Sequence, residues 1–158
     1  MERSISVMRR HLLFVFSVLL LCNIVGVASA DGKKVVLVAS AHLKHLSLTR
    51  VEVRQLFLGG SIKKNDTRLV PVINDIDPLL YEIFLQKIVF MSARTYERRL
   101  ISRILHKGGQ RIQFSSKLVS FENSLATEPG RITFMWESKA HTLPGIVVIE
   151  ELWPGSVN

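Results

Sequence analysis

Residues 34–60, KVVLVASAHLKHLSLTRVEVRQLFLGG, contain the two patterns that decide the fold. The run Val35–Ala39 is apolar at every position and rich in β-branched residues, which predicts a strand buried on both faces. After a polar connection, Thr49 and Glu52 have the Thr-x-x-Glu spacing of a capping box, and a helix is predicted over Arg50–Leu58, closed by the glycines that follow. A buried strand followed by a capped helix is the building unit of an α/β domain.

The same alternation continues along the chain. Asp77 followed by Pro78 predicts a helix start, because aspartate accepts hydrogen bonds from the first turn and proline has the φ of a first helical residue. Strands that alternate with helices predict one three-layer α/β domain, with a mostly parallel sheet flanked by helices. The further predicted elements are strands at 68–73, 131–136 and 145–149, and helices at 78–90, 93–107 and 120–127.

The first thirty residues have the three parts of a secretory signal peptide. A start with three arginines precedes an apolar run over 12–27, and the small-x-small sequence Ala28-Ser29-Ala30 follows. We therefore predict cleavage after Ala30 and a periplasmic domain comprising residues 31–158. The alternative is a segment retained as a membrane anchor, because the apolar run approaches the length of a spanning helix.

The composition of residues 31–158 excludes thiol chemistry and indicates which partners suit the predicted domain. Cys22 is the only cysteine and lies in the predicted signal peptide, so the predicted domain has neither disulfide nor thiol chemistry. Removal of three arginines and one glutamate with residues 1–30 lowers the net charge from +8 to +6. A basic surface suits a small anion, anionic lipid or nucleic acid, and export makes nucleic acid the least expected partner.

Three segments resemble a known family. Residues 48–60 resemble the Leu-Ser/Thr-x-x-Glu-Leu-x-x-Ile-Phe-Leu-Gly-Lys segment of phosphate-type periplasmic substrate-binding proteins. Residues 69–72 and 78–84 are similar to that family's Ile-x-Pro-Val strand and the helix after it, and residues 126–134 resemble its Pro-Gly-Ala-Ile-Gly-Tyr segment. The resemblance implies a single lobe of the type II periplasmic binding protein fold, in a short form without the second lobe. It also implies the binding or sensing of a small ligand, as in the solute-binding proteins of phosphate ABC transporters.

The loop before the helix at 78–90 departs from this family. Its phosphate binders usually carry an arginine and then Asp-Gly-Ser-Gly-Thr there, so that hydroxyls and backbone N–H groups hold the anion at a helix start. This chain has Asn74-Asp75-Ile76-Asp77-Pro78 instead, with two carboxylates that repel an anion and a proline that lacks an N–H group. The loop therefore argues against phosphate itself as the ligand.

Two loops supply candidate ligand-binding residues. The loop after the first strand begins at Ser40, and ligands in open α/β sheets bind at the carboxyl ends of strands. The second loop, before Pro78, has groups that suit a cationic or hydroxylated ligand. The alternative is that these residues have structural roles only. The first loop would then be a solvated connection without a ligand, and in the second loop Asp77 would be an N-cap and Asp75 a turn residue. The candidates are Ser40, Ala41, His42, Asn74, Asp75 and Asp77.

No catalytic motif is present in the sequence, and no cofactor is predicted. His42 and His45 lack a third ligand of clear spacing, so we predict no metal site.

The helix predicted at 93–107 carries a basic stripe, which either docks an acidic partner or a lipid headgroup or is a solvated helix face. Its candidate docking residues are Arg94, Arg98 and Arg103.

Two hypotheses for a non-catalytic function follow. In the first, the domain binds a small ligand; because a single lobe gives only one wall of a cleft, a second copy or another protein then completes the site. In the second, the domain is an interaction module, accessory to a membrane sensor or transporter, without a small-molecule ligand.

Overall fold

A fully buried strand lies at the centre of the fold. The computed structural model describes residues 33–107, 111–117 and 120–155, and the predicted signal peptide lies outside them. Strand β1 (Val35–Ser40) is buried at all six residues. Alternate side chains of a strand point to opposite faces, and β1 contributes to a hydrophobic core on each side. The prediction of a strand buried on both faces is confirmed.

The central sheet has five strands in the order β5-β4-β6-β1-β7. Strand β4 is parallel to β5 and β6, whereas β1 is antiparallel to β6 and β7. The α/β class is confirmed, and the sheet is mixed, with parallel pairing confined to the β4 side. The strands beside β1 are β4 (Val70–Ile73), β5 (Gln113–Phe114), β6 (Arg131–Trp136) and β7 (Ile146–Trp153).

A small hairpin lies between the first helix and β4. Strands β2 (Lys63–Lys64) and β3 (Thr67–Arg68) pair around Asn65 and Asp66, whose φ angles of 47° and 62° are those of a tight hairpin turn. This hairpin adds one reversal of chain direction between the first helix and β4. Strand β4 runs opposite to β1, where a simple strand–helix–strand unit would have made them parallel.

Helices cover both faces of the sheet and complete three layers. The core that contains Val35, Leu37 and Ala39 packs against the first three helices, and the core that contains Val36 and Val38 packs against the last two. The first set is α1 (Arg50–Phe57), α2 (Pro78–Ile83), continued by a π-helical turn at Phe84–Val89, and α3 (Ala93–Lys107). The second set is α4 (Phe121–Thr127) and α5 (Glu137–Ala140).

Aromatic rings fill the larger core. Phe84 stacks on Phe134 with ring centroids 4.1 Å apart, and it meets Phe57 and Tyr96 edge to face at 5.2 and 5.6 Å. Aromatic pairs in these geometries add stability beyond the area that they bury. This cluster joins α1, α2 and α3 to the sheet through β6.

Local sequence signals are reproduced closely. The capping box is present, because the Thr49 hydroxyl accepts the N–H of Glu52 at 3.2 Å and the Glu52 carboxylate accepts the N–H of Thr49 at 2.9 Å. The helix predicted at 78–90 forms, but its second half winds as a π-helical turn. The last strand extends to Trp153, four residues beyond its predicted end.

None of the helices among the described residues is long and apolar enough to span a bilayer.

Candidate functional site

The two candidate loops lie at opposite edges of the sheet. Ala39 pairs with Ile132, and Val70 pairs with Arg131, so β1 ends where β4 and β6 begin. Ser40 is the last residue of β1 at that edge and not the first of the loop, as was predicted, whereas Asn74 follows the other end of β4. The antiparallel direction of β1 is the reason, because only parallel strands place their carboxyl ends at the same edge. The structure thus does not bring the two sets of predicted residues together.

Ser40 is buried and faces inward. Its hydroxyl accepts the N–H of His42 at 3.4 Å and caps a short 3-10 turn at Ala41–Leu43. Ala41 and His42 are exposed, and the N–H of Ala41 donates to the carbonyl of Gly145 at 2.8 Å. Within the described part of the chain, no three His, Cys, Asp or Glu residues are close enough to hold a metal ion.

Asn74 joins the end of β4 to β6. Its side chain is 7% exposed, and its Nδ2 donates to the carbonyl of Phe134 at 3.0 Å. Its Oδ1 accepts the N–H of Ile76 at 3.4 Å and lies 3.4 Å from the hydroxyl of Ser115, whose single hydrogen is shared with the nearer carboxylate of Asp75. Buried polar atoms need hydrogen-bond partners, and both Nδ2 and Oδ1 of Asn74 have partners within the protein.

Asp75 holds the 3-10 turn at Ser115–Lys117. One carboxylate oxygen accepts the hydroxyl of Ser115 at 3.2 Å and the N–H of Ser116 at 2.9 Å, and the other accepts the hydroxyl of Ser116 at 2.6 Å. The N–H of Asp75 donates in turn to the hydroxyl of Ser115 at 3.2 Å. Sequence reasoning missed both serines, because no local pattern pairs Ser115 with an aspartate forty positions earlier.

Asp77 caps α2, as predicted, and also binds a tryptophan. Oδ1 accepts the N–H groups of Leu79 and Leu80 at 2.9 and 3.3 Å, and Oδ2 accepts the indole N–H of Trp136 at 2.7 Å. The hydrogen bond from Trp136 lowers the pKa of Asp77, helped by the two backbone donors and the charge of Lys33, while burial acts in the opposite direction. The Nζ of Lys33 lies over the Trp136 ring, 5.4 Å from its centroid. The carboxylate is therefore held ionised by groups of its own protein.

The hydroxyl of Tyr81 differs from the side chains of Asn74, Asp75 and Asp77, because it is buried but forms no hydrogen bond with any of the described residues. Burial, with smaller contributions from Glu97 and Asp75, raises the pKa of Tyr81 to about 12. The ring stacks against Phe84 with centroids 6.1 Å apart. The hydroxyl is neutral at physiological pH, since a phenol with so high a pKa keeps its proton.

The predicted basic stripe of α3 divides into two parts. Arg94 and Arg98 are exposed, on the face that also carries the exposed apolar residues Ile101 and Leu105. Arg103 is only partly exposed and lies over the backbone of the α1 terminus, where a Cβ on Gly59 would come within 2.7 Å of its Cδ. Arg103 therefore belongs to the contact between two helices, whereas Arg94 and Arg98 face solvent.

No family model matches this chain, and a search of curated proteins found no significant similarity. The likeness of residues 48–60 to phosphate-type substrate-binding proteins stays a prediction.

Proposed function

We propose that this chain is an exported, non-catalytic interaction domain, accessory to a membrane sensor or transporter, and that it binds no small molecule in its second candidate loop. The observation that carries the proposal is that Asn74, Asp75 and Asp77 form their hydrogen bonds within the protein. Each accepts or donates hydrogen bonds that join β4 to a neighbouring element. A ligand at this loop would have to break those bonds before it could form its own.

The charge at this edge supports the same proposal. An anion would meet the carboxylates of Asp75 and Asp77, the second of which has a lowered pKa and stays charged down to acidic pH. A cation would have to compete with the hydroxyl and N–H donors of Ser116 at 2.6 and 2.9 Å. Neither kind of ion gains enough there to replace bonds that already exist.

The surface offers a positive argument for a protein partner. The solvent face of α3 combines Arg94 and Arg98 with Ile101 and Leu105, which are 54% and 75% exposed. Exposed apolar side chains beside arginine are typical of protein-binding surfaces, where arginine is enriched. The predicted N-terminal export signal would deliver such a surface to the cell envelope.

Binding of small ions can be tested by thermal unfolding of the protein purified after expression of the full chain. We expect no change in the unfolding temperature with millimolar phosphate or sulfate. A ligand at 100 times its dissociation constant would add about 2.7 kcal/mol, which amounts to several degrees. Stabilisation by phosphate that changes in size in Asp75→Asn would place the anion at this loop, refute the proposal and assign the domain to ligand binding.

Partner binding can be tested by photo-crosslinking in cells that make the full chain. A photoreactive residue replaces Arg98 in one variant and, as a matched control, Asn123 on the opposite helical layer in another. We expect a discrete adduct with an envelope protein from position 98 and none from 123. Adducts only between copies of this chain would overturn the accessory role, because the surface would then be a homodimer interface.

A further inference from the structure

A groove between α1 and the π-helical turn combines an apolar floor with a basic rim. It encloses about 230 Å³, with Val53 and Ile88 at its floor and Val51 and Phe90 at its sides. Val51 is 75% exposed and Phe90 is 66% exposed, so both project apolar surface into solvent. Pockets for small molecules usually enclose about 300–1,000 Å³, and this groove has room only for one or two side chains.

The rim of the groove is positively charged. Arg50, Arg54 and Lys87 line it, and none of the described residues that line it is acidic. No carboxylate in the described part of the chain lies within ion-pair distance of these three cations. The nearest acidic residue along α1, Glu52, is instead paired with Lys64 at 2.7 Å.

Two hydrogen bonds hold the arginines in place. Arg50 Nη1 donates to the carbonyl of Leu152 at 3.4 Å, and Arg54 Nε donates to the carbonyl of Val89 at 3.3 Å. Both acceptors are neutral, and the remaining donors of each guanidinium stay available for a planar anionic group such as a carboxylate. Both arginines of the rim are therefore held in place before any partner arrives.

Phe90 adopts an unfavourable backbone conformation on the rim. Its φ and ψ of 57° and 49° are left-handed, at the end of a helix where glycine or asparagine is usual. The ring lies 5.6 Å from the Arg54 guanidinium and remains mostly exposed, so it does not fill the core. A strained residue with an exposed aromatic ring points to a role outside folding.

We propose that this groove docks an acidic segment of a partner protein, which inserts one bulky apolar side chain between Val51 and Phe90 and places carboxylates on Arg50, Arg54 and Lys87. The assignment rests on the proposed interaction function and names the chemistry of the partner. A concave site of this volume fits a side chain, whereas a flat lipid surface would leave its floor uncovered. The charge of the rim selects an acidic segment.

The test uses fluorescent short peptides that carry a central Leu, Phe or Trp flanked by glutamates, with anisotropy measured on protein from the full chain. Matched peptides replace the apolar residue by serine or the glutamates by glutamine. We expect binding only when both features are present, and weaker binding as salt concentration rises. Equal binding of the glutamine peptides, or no binding of any acidic peptide, would overturn the proposal.

Variants locate the binding on the groove. Phe90→Asn removes the ring but tolerates the left-handed conformation, so the fold is kept, and we expect affinity to fall about ten-fold. Arg54→Gln should have a similar effect, whereas Arg98→Gln and Leu105→Ala, on the exposed face of α3, should stay within about two-fold of wild type. A similar loss in the α3 variants would refute docking at the groove.

Two further outcomes separate this proposal from others. In one outcome, the protein binds anionic phospholipid vesicles, this binding is lost in Phe90→Asn, and no peptide binds. The groove would then bind a membrane surface, and the proposal of an acidic protein segment would be refuted. An envelope protein crosslinked from position 98, together with absent peptide binding, would overturn the groove assignment alone. Loss of both signals would overturn the interaction function as well.

Discussion

The two tyrosines of the chain should respond in opposite ways to the same substitution. Tyr81 and Tyr96 both pack against Phe84, so replacement by phenylalanine keeps the aromatic contacts of each. Only the hydroxyl is lost. The Tyr96 hydroxyl donates to the carbonyl of Phe57 at 2.7 Å, whereas the Tyr81 hydroxyl is buried without a partner among the described residues.

The magnitudes follow from these two environments. The carbonyl of Phe57 is one of the last four of α1, which accept no hydrogen bond from an N–H group within the helix. In Tyr96→Phe this carbonyl loses the Tyr96 hydroxyl and is left buried and unpaired. Such a loss costs about 1–3 kcal/mol of stability. Tyr81→Phe removes an unpaired buried hydroxyl and should stabilise the protein by about 1 kcal/mol. The two variants should therefore differ by about 2–4 kcal/mol.

Urea unfolding followed by circular dichroism measures both free energies, provided that the slopes of the transitions stay equal. The absorbance of ionised tyrosine gives a second readout. Because burial raises the pKa of Tyr81 to about 12, its phenol should not ionise near pH 10 while the protein is folded. Equal destabilisation by Tyr81→Phe and Tyr96→Phe, or ionisation of Tyr81 near pH 10 in the folded protein, would show that the Tyr81 hydroxyl is not buried and unpaired.

Three further predictions concern stability, and the first two compare a substitution with a matched control. Gly130→Ala should cost about 2 kcal/mol more than Gly145→Ala in urea unfolding, since both glycines have left-handed φ but a methyl at the first would overlap a backbone carbonyl of β3; equal losses would contradict this. Asp75→Asn should cost about 1–3 kcal/mol, whereas Glu122→Gln, in a surface ion pair, should stay within about 0.5 kcal/mol in the same assay. The pKa of Glu52 is lowered to about 2, chiefly by its hydrogen bond to Lys64, so its contribution to stability is present above about pH 4.5 and is lost as the pH falls towards 2. Glu52→Gln should flatten that part of the curve of unfolding temperature against pH. An unchanged slope in this variant would refute the assignment.

Elements governed by neighbouring residues could be predicted from the sequence. The buried run at Val35–Ala39 and the capping box of Thr49 and Glu52 are local signals, and the structure contains both as expected. Asp77 was correctly predicted to cap α2 for the same reason. These features depend on spacings of a few residues, which a single sequence displays directly.

The candidate site could not be predicted because it depends on contacts between distant segments. The direction of β1 relative to β4 separates Ser40 from Asn74, and no local pattern reports that direction. The partner of Asp75 lies on the turn after β5, an element too short to be recognised. The groove beside Phe90 likewise arises from the junction of two helices and a strand.

The position of β1 between β6 and β7 constrains the order in which the molecule can assemble. The first strand of the domain lies between its last two, and Val35 pairs with both Trp136 and Trp153. A chain that emerges from a ribosome or a translocon in N-to-C order cannot complete the sheet until its final strand has appeared. The sheet is therefore completed only once the whole domain is available, and its reliance on such remote pairings should make folding slow.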